Sequence, residues 1–223
     1  MSSIFTSSIG KKFLMSLAGL FLITFLLVHL GINLLVLSND TMTFNKAAHF
    51  MGTNKVIKVF EVILFAGFLL HIIYALILQV QNWLARPKRY HKITKSDTSA
   101  FSRWMIHTAL IVLAFLVIHM TDFYFKAKFG GAPEIVVDGK HYHDLATLVI
   151  DKFQLPFFVI FYIATFIFLG FHLIHGFQSA FKTLGLNNKT YTPVIMAISY
   201  VYTFIVVAGF SIIPLVIFFT KNA

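Results

Sequence analysis

The chain has no cysteine in its 223 residues. That absence excludes disulfides, thiolate ligation of iron–sulfur clusters and covalent haem attachment through a C-x-x-C-H motif. Any metal must be held by histidine, methionine or oxygen, and any iron–sulfur chemistry must belong to another chain. Charge is scarce as well: 12% of residues are charged, against about a quarter in a soluble domain. Acids are the scarcest, with 8 Asp and Glu against 18 Lys and Arg and a formal net charge of +10. With 58% hydrophobic residues and a mean hydropathy of +0.83, the composition excludes a soluble globular domain. No nucleic-acid partner is expected.

What is present is long apolar runs. Five spans, at about 13–37, 58–84, 104–126, 155–181 and 193–219, each reach or exceed the ~20 residues that cross a bilayer core. The first apolar run is too long for a signal-peptide core and lacks a small-residue cleavage site, so it reads as a retained helix. Pro156 suits the first turn of the fourth span, and Pro214 suggests a kink near the end of the fifth. The expectation is one all-α integral membrane domain over 1–223, a bundle of five transmembrane helices with its termini on opposite sides. No internal repeat or low-complexity segment interrupts it.

Loop charge orients the bundle. With a cytoplasmic N-terminus the inner segments carry ten Lys and Arg, including Lys11, Lys12 and the dense Arg86–Arg103 loop, and the outer segments eight. The positive-inside rule counts Lys and Arg near the spans, and that loop tips the margin toward an inner N-terminus. The cluster suits anionic lipid headgroups or a soluble partner docked on the same side.

Four spans each contain a histidine among aliphatic and aromatic residues: His29, His71, His119 and, in the fourth, His172 or His175. An ionisable residue inside a membrane is costly and points to function. One such residue is explained by a helix–helix hydrogen bond, but one in each of four helices points to two pairs of metal ligands. At 1.5 Å per residue, His29 and His119 lie roughly 12 and 9 Å from the outer ends of their helices, while His71 and His172 lie roughly 20 and 26 Å in. This sorts them into an outer pair, His29 with His119, and an inner pair, His71 with His172, as two bis-histidine haems stacked across the membrane require. His107 sits near the interface, and His49, His91, His141 and His143 read as surface residues. Gly31, Ala66, Gly67, Gly170 and Gly176 leave room for a flat macrocycle or for close helix packing.

The order of these features resembles the single-subunit, five-helix, di-haem cytochrome b anchor of bacterial succinate:menaquinone oxidoreductases and quinol:fumarate reductases. The likeness runs nearly end to end. It is carried by Ser8-Ile9-Gly10-Lys11-Lys12-Phe13-Leu14-Met15-Ser16-Leu17-Ala18-Gly19, the histidine late in the first helix, Ala85-Arg86-Pro87 after the second, and His172-Leu173-Ile174-His175-Gly176 continuing to Gly185. The resemblance implies that His172 is the ligand and His175 its supporting neighbour. It also implies a membrane anchor for two haem b groups, a flavoprotein carrying FAD and an iron–sulfur partner subunit, with menaquinone as substrate near the outer face. A bacterial cytoplasmic (inner) membrane location follows, and a dimer of the heterotrimer is compatible with it. Each ligand's second nitrogen is expected to donate to the carbonyl one turn earlier in its own helix. The alternative is a di-haem cytochrome b of a formate dehydrogenase or hydrogenase type. A haem-free transporter using histidines as proton relays fits less well, because the spans show few scattered polar residues or breaks.

Some fumarate reductases of that family carry a glutamate two residues before the fourth-helix ligand, where this chain has Gly170. A compensating proton path of that kind is not expected here. Electron transfer across the membrane would then be electrogenic, at ~2.3 kcal/mol per charge per 100 mV, which suits succinate oxidation. Quinone chemistry also needs a proton donor beside an apolar slot, and Glu61 and Asp122, both near outer helix ends, are the candidates.

Overall fold

A computed structural model describes residues 7–85 and 104–221. The basic Arg86–Arg103 loop with His91, and part of the Ala85-Arg86-Pro87 stretch, lie outside the described residues. Of the described residues 84% are helical, and among them five helices are long and apolar enough to cross a membrane. They begin and end within three residues of the expected spans, except that the first starts five residues earlier, at Ser8.

Local chemistry sets the boundaries. Helix α1 (Ser8–Leu34) starts where the Ser7 hydroxyl accepts from the Gly10 amide at 3.0 Å, and tightens into a 3₁₀ turn, Leu35–Leu37. Side-chain oxygens at helix N-caps satisfy amides that otherwise have no partner. Asp40 does this for α2 (Thr41–Thr53) and Asn54 for α3 (Lys55–Leu84). The third span is composite. Helix α4 (Met105–His119) gives way to a π-helical turn, Met120–Tyr124, whose closing bond runs from the Phe125 amide to the Met120 carbonyl, and then to α5 (Phe125–Phe129). Asp122 therefore lies in a π turn rather than in the last turn of a regular helix.

A short hairpin follows, β1 (Glu134–Val137) paired antiparallel with β2 (Lys140–His143). Its Asp138-Gly139 corner has φ of 52° and 73°, the left-handed backbone that a two-residue hairpin turn demands and that Gly supplies without strain. Helix α6 (Leu145–Phe153) is capped by Asp144, and α7 (Pro156–Thr183) opens with proline in its first turn. Gly185, at φ 88°, ends α7 in a left-handed cap. Helix α8 (Tyr191–Lys221) runs through the buried Pro214.

Helices α2 and α6 and the hairpin gather at one end of the bundle and form a cap, here termed the hairpin end. Asn45 joins the pieces: its amide donates to Asp144 Oδ1 at 2.9 Å, and its carbonyl accepts from the Ala146 amide at 2.9 Å. The sequence reading assigned this region to loops, because its elements are too short to carry a spanning hydrophobic pattern.

Helices α7 and α8 form the buried centre, with 39% and 33% of their apolar windows buried against 6% for both α3 and the α4 span. Helix α1 packs on α3, α7 and α8, and α4 on α7. Between apolar helices in lipid, close van der Waals approach and interhelical hydrogen bonds take over from hydrophobic burial. A Cβ on Gly170 would stand 2.9 Å from Val207, and one on Gly209 2.8 Å from Leu30, so small residues set both contacts. The Tyr202 hydroxyl donates to the Ile23 carbonyl at 2.7 Å, and the Gln178 amide to the buried Ser199 hydroxyl at 2.9 Å.

Candidate functional site

One half-buried histidine from each of α1, α3, α4 and α7 meets a partner across the bundle. The His29 and His119 rings have centroids 5.7 Å apart at 89°. The His71 and His172 rings have centroids 6.3 Å apart at 72°. The first pair lies late in α1 and α4, toward the hairpin end, and the second deeper along α3 and α7. Aromatic rings one turn earlier stack on both members of the first pair, Phe25 on His29 at 5.2 Å and Phe115 on His119 at 5.5 Å.

The second nitrogens do not behave as expected. His71 Nδ1 stands 3.4 Å from the Met15 carbonyl of α1, not from a carbonyl of its own helix. At His29 the Asn33 amide nitrogen stands 3.3 Å from Nδ1 and donates to the His29 carbonyl at 2.8 Å. Nδ1 of His119 and Nδ1 of His172 are buried without a hydrogen-bond partner among the described residues. Helical carbonyls keep a second lone pair, which the Ser16 hydroxyl uses on the Lys12 carbonyl at 2.8 Å. Yet the ring partners found here come from the neighbouring helix at His71 and from a side chain at His29. Each pair thus holds one oriented ring and one buried, unpartnered nitrogen, a group that costs about 1–3 kcal/mol when nothing satisfies it.

These donor sets suit a haem. Among the described residues no three His, Cys, Asp or Glu side chains converge on one metal position, so the histidines act in twos. Two imidazoles are too few for a zinc site, which takes three or four protein ligands. They would suffice to hold an iron whose remaining ligands come from a macrocycle. A metal shared by two imidazole nitrogens at about 2.0 Å each keeps the ring centroids roughly 6 Å apart, close to both observed separations. A Cβ on Gly19 would touch the His71 ring at 3.4 Å, while Cβ atoms on Gly31 and Gly176 would meet nothing within 4 Å. Gly67 and Gly170, by contrast, are filled by Phe21 of α1 and by Val207 and Thr203 of α8, and serve helix packing. His175 follows His172 by three residues on α7 and is half-buried.

Glu61 lies in the first turns of α3 at the hairpin end. It accepts from the Tyr124 hydroxyl in a very short hydrogen bond and from Lys128 Nζ at 2.9 Å. With Lys58, Val62 and Phe65 these residues line a surface cleft of about 460 Å³. Rings connect the cleft to the first histidine pair: Tyr124 to Phe65 at 5.3 Å, Phe68 one turn along α3, then Phe68 to Phe25 at 6.4 Å.

Neither a family model nor a curated protein nor a solved structure matches this chain. The chemistry of the site has to come from its own geometry.

Asp122 is fully engaged. Lys152 of α6 donates to Oδ1 at 2.8 Å and the Tyr162 hydroxyl of α7 to Oδ2 at 3.2 Å. Its side chain is 14% exposed and that of Lys152 15%, so the pair is enclosed by protein. Sequence reasoning missed Asn33, Tyr124, Lys128, Lys152 and Tyr162. For three of these a signal existed. Asn33 follows His29 by four residues, and Lys128 follows Tyr124 by four, one turn on the same helix face.

Proposed function

We propose that this chain is a di-haem b membrane anchor that passes electrons between an iron–sulfur subunit and menaquinone, in a complex of the succinate:menaquinone oxidoreductase or quinol:fumarate reductase type. The observation that carries this reading is the meeting of four membrane-embedded histidines as two facing pairs at two levels of one bundle. His29 and His119 would hold one haem, and His71 and His172 the other, with His175 supporting rather than ligating. When bound, the haems supply one-electron carriers spaced along the membrane normal.

The chain's own residues do the rest. The Met15 carbonyl fixes the His71 ring by accepting from Nδ1, which leaves Nε2 for the metal. Phe25 and Phe115 wall the first pair and exclude water from it. The Glu61 cleft, whose volume falls in the range of small-molecule sites, receives the quinone ring on the face of Phe65. Reduction of the ring by two electrons takes up two protons. Glu61, which accepts from Tyr124 and Lys128, would relay them one at a time to the quinone oxygens from water at the mouth of the cleft, where Lys58 and Lys128 stand. With a cytoplasmic N-terminus this cleft opens on the outer side. The inner face of the bundle would then meet the soluble subunits, a flavoprotein carrying FAD and an iron–sulfur protein.

The test is haem content. The chain purified from membranes should give two haems per polypeptide by pyridine haemochrome and a reduced-minus-oxidised spectrum of b type. His29→Leu or His119→Leu should remove one haem, and His71→Leu or His172→Leu the other. One haem or none in well-folded protein would refute the reading.

A further inference from the structure

We infer that the buried Asp122–Lys152–Tyr162 triad positions His119 and sets the reduction potential of the metal centre that His119 helps to hold. This inference rests on the proposal that His29 and His119 ligate one haem. Asp122 follows His119 by three residues, in the π-helical turn that directly succeeds it. Both carboxylate oxygens are taken, one by a cation and one by a hydroxyl. Lys152 lies with its ammonium 4.0 Å from the centre of the Phe158 ring, so it too is held away from water. Tyr162 is 2% exposed, and its ring touches both His119, at 6.4 Å between centroids, and Phe115, the ring stacked on His119.

Burying two opposite charges roughly breaks even against an apolar replacement, and within a membrane span such groups are expensive. Stability alone therefore gives no reason for this pair. Its position gives one. The triad ties three separate pieces of chain, the turn after His119, the cap helix α6 and the early part of α7, around a single ring. It also fixes a carboxylate and an ammonium in a low-dielectric setting, where charge on a nearby iron is felt strongly. The carboxylate sits on the same helix as the ligand, and the ammonium comes from the cap outside it. The oxidised, more positive metal is stabilised by Asp122 and opposed by Lys152.

The experiment is a spectroelectrochemical titration of the haem-loaded chain in lipid nanodiscs, with haem content measured in parallel. Asp122→Asn should move one of the two potentials upward, Lys152→Gln should move the same one downward, and the other potential should stay put. Opposite signs separate a fixed charge from loosened packing, which would move both variants the same way. Should either single variant fail to load haem, Asp122→Asn/Lys152→Gln removes both charges at equal shape and should restore two haems. Tyr162→Phe keeps the ion pair and the ring. Losing its hydroxyl leaves the carboxylate more negative, so the same potential should fall, with a changed low-spin EPR signal for that haem alone. Two haems with both potentials unmoved in all variants, or shifts of one sign throughout, would overturn the inference. No haem in the unaltered chain would instead overturn the ligation proposal beneath it.

Discussion

Asn45→Leu tests whether the cap is held by the two hydrogen bonds described for it. Leucine keeps the branching and heavy-atom count of the side chain at a position 1% exposed, adding some bulk, while both polar contacts are lost. The first is the bond to the Asp144 carboxylate at 2.9 Å, of a kind that contributes about 1.5–3 kcal/mol when one partner is charged. The second leaves the amide of Ala146, a fully buried residue, without an acceptor, at about 1–3 kcal/mol. Taking the lower part of each range, opening of the α2–α6 junction becomes easier by about 3 kcal/mol, roughly a hundredfold at 1.4 kcal/mol per decade. Amide hydrogen exchange followed by mass spectrometry in nanodiscs reads this directly, at the peptide containing Ala146 and Thr147. The expected result is exchange about a hundredfold faster there and unchanged in the middle of α7. Acceleration under threefold would refute the account.

The same junction has a pH dependence of known sign. Burial alone would raise the Asp144 carboxyl, but the bonds from the Asn45 amide and from the Thr147 hydroxyl and backbone outweigh it and hold the group below the usual carboxylate range. A carboxyl depressed in the folded state contributes stability that is complete above its unfolded value of ~3.9 and lost as pH falls through the folded one. The Asp144 contribution to the junction should therefore be constant between about pH 5 and 7 and be lost only in stronger acid, with the loss moved to higher pH in Asn45→Leu.

His175→Ala should retain both haems with at most a shifted potential, whereas His172→Ala should lose one; haemochrome assay of the two variants decides between them. Glu61→Gln keeps shape but removes the titratable group, so quinone turnover should fall at least tenfold while both haems and dye-linked succinate oxidation persist, and full turnover would exclude Glu61. If protons enter from the hairpin side, an uncoupler should slow succinate:menaquinone activity in energised vesicles. Gly209→Ala forces a methyl to 2.8 Å from Leu30, the neighbour of His29, and should cost about 1–3 kcal/mol. Gly31→Ala places a methyl with no neighbour within 4 Å among the described residues, and inside a helix should raise stability by about 0.5–1 kcal/mol in thermal unfolding.

What could be read from the sequence was whatever a straight helix expresses as spacing. Lone histidines in apolar runs stood out by cost, and a fixed rise per residue was enough to sort His29 with His119 and His71 with His172 by depth. Contacts between segments remote in sequence were not legible. Asn45 and Asp144 are separated by 99 positions, and Lys152 and Asp122 by 30. The pairs are brought together by short amphipathic pieces whose pattern resembles that of loops. The expected donor–carbonyl contact within each histidine's own helix failed because the turn of the ring is set by a neighbouring group, as at His71, whose Nδ1 stands 3.4 Å from the Met15 carbonyl of α1.

The π-helical turn at Met120–Tyr124 has a consequence for how this span tolerates change. Relative to a regular helix it holds one surplus residue, and each residue advances a helix by about 100°. Everything after it is rotated by that angle, so one continuous span can address α1 with His119 and then swing Tyr124 and Lys128 round to α3. Deleting a single residue such as Thr121 would rewind the turn, leave His119 facing His29, and carry Lys128 away from Glu61. The segment behaves as a phase shifter between two neighbours, so this region should accept substitutions far more readily than a change of length.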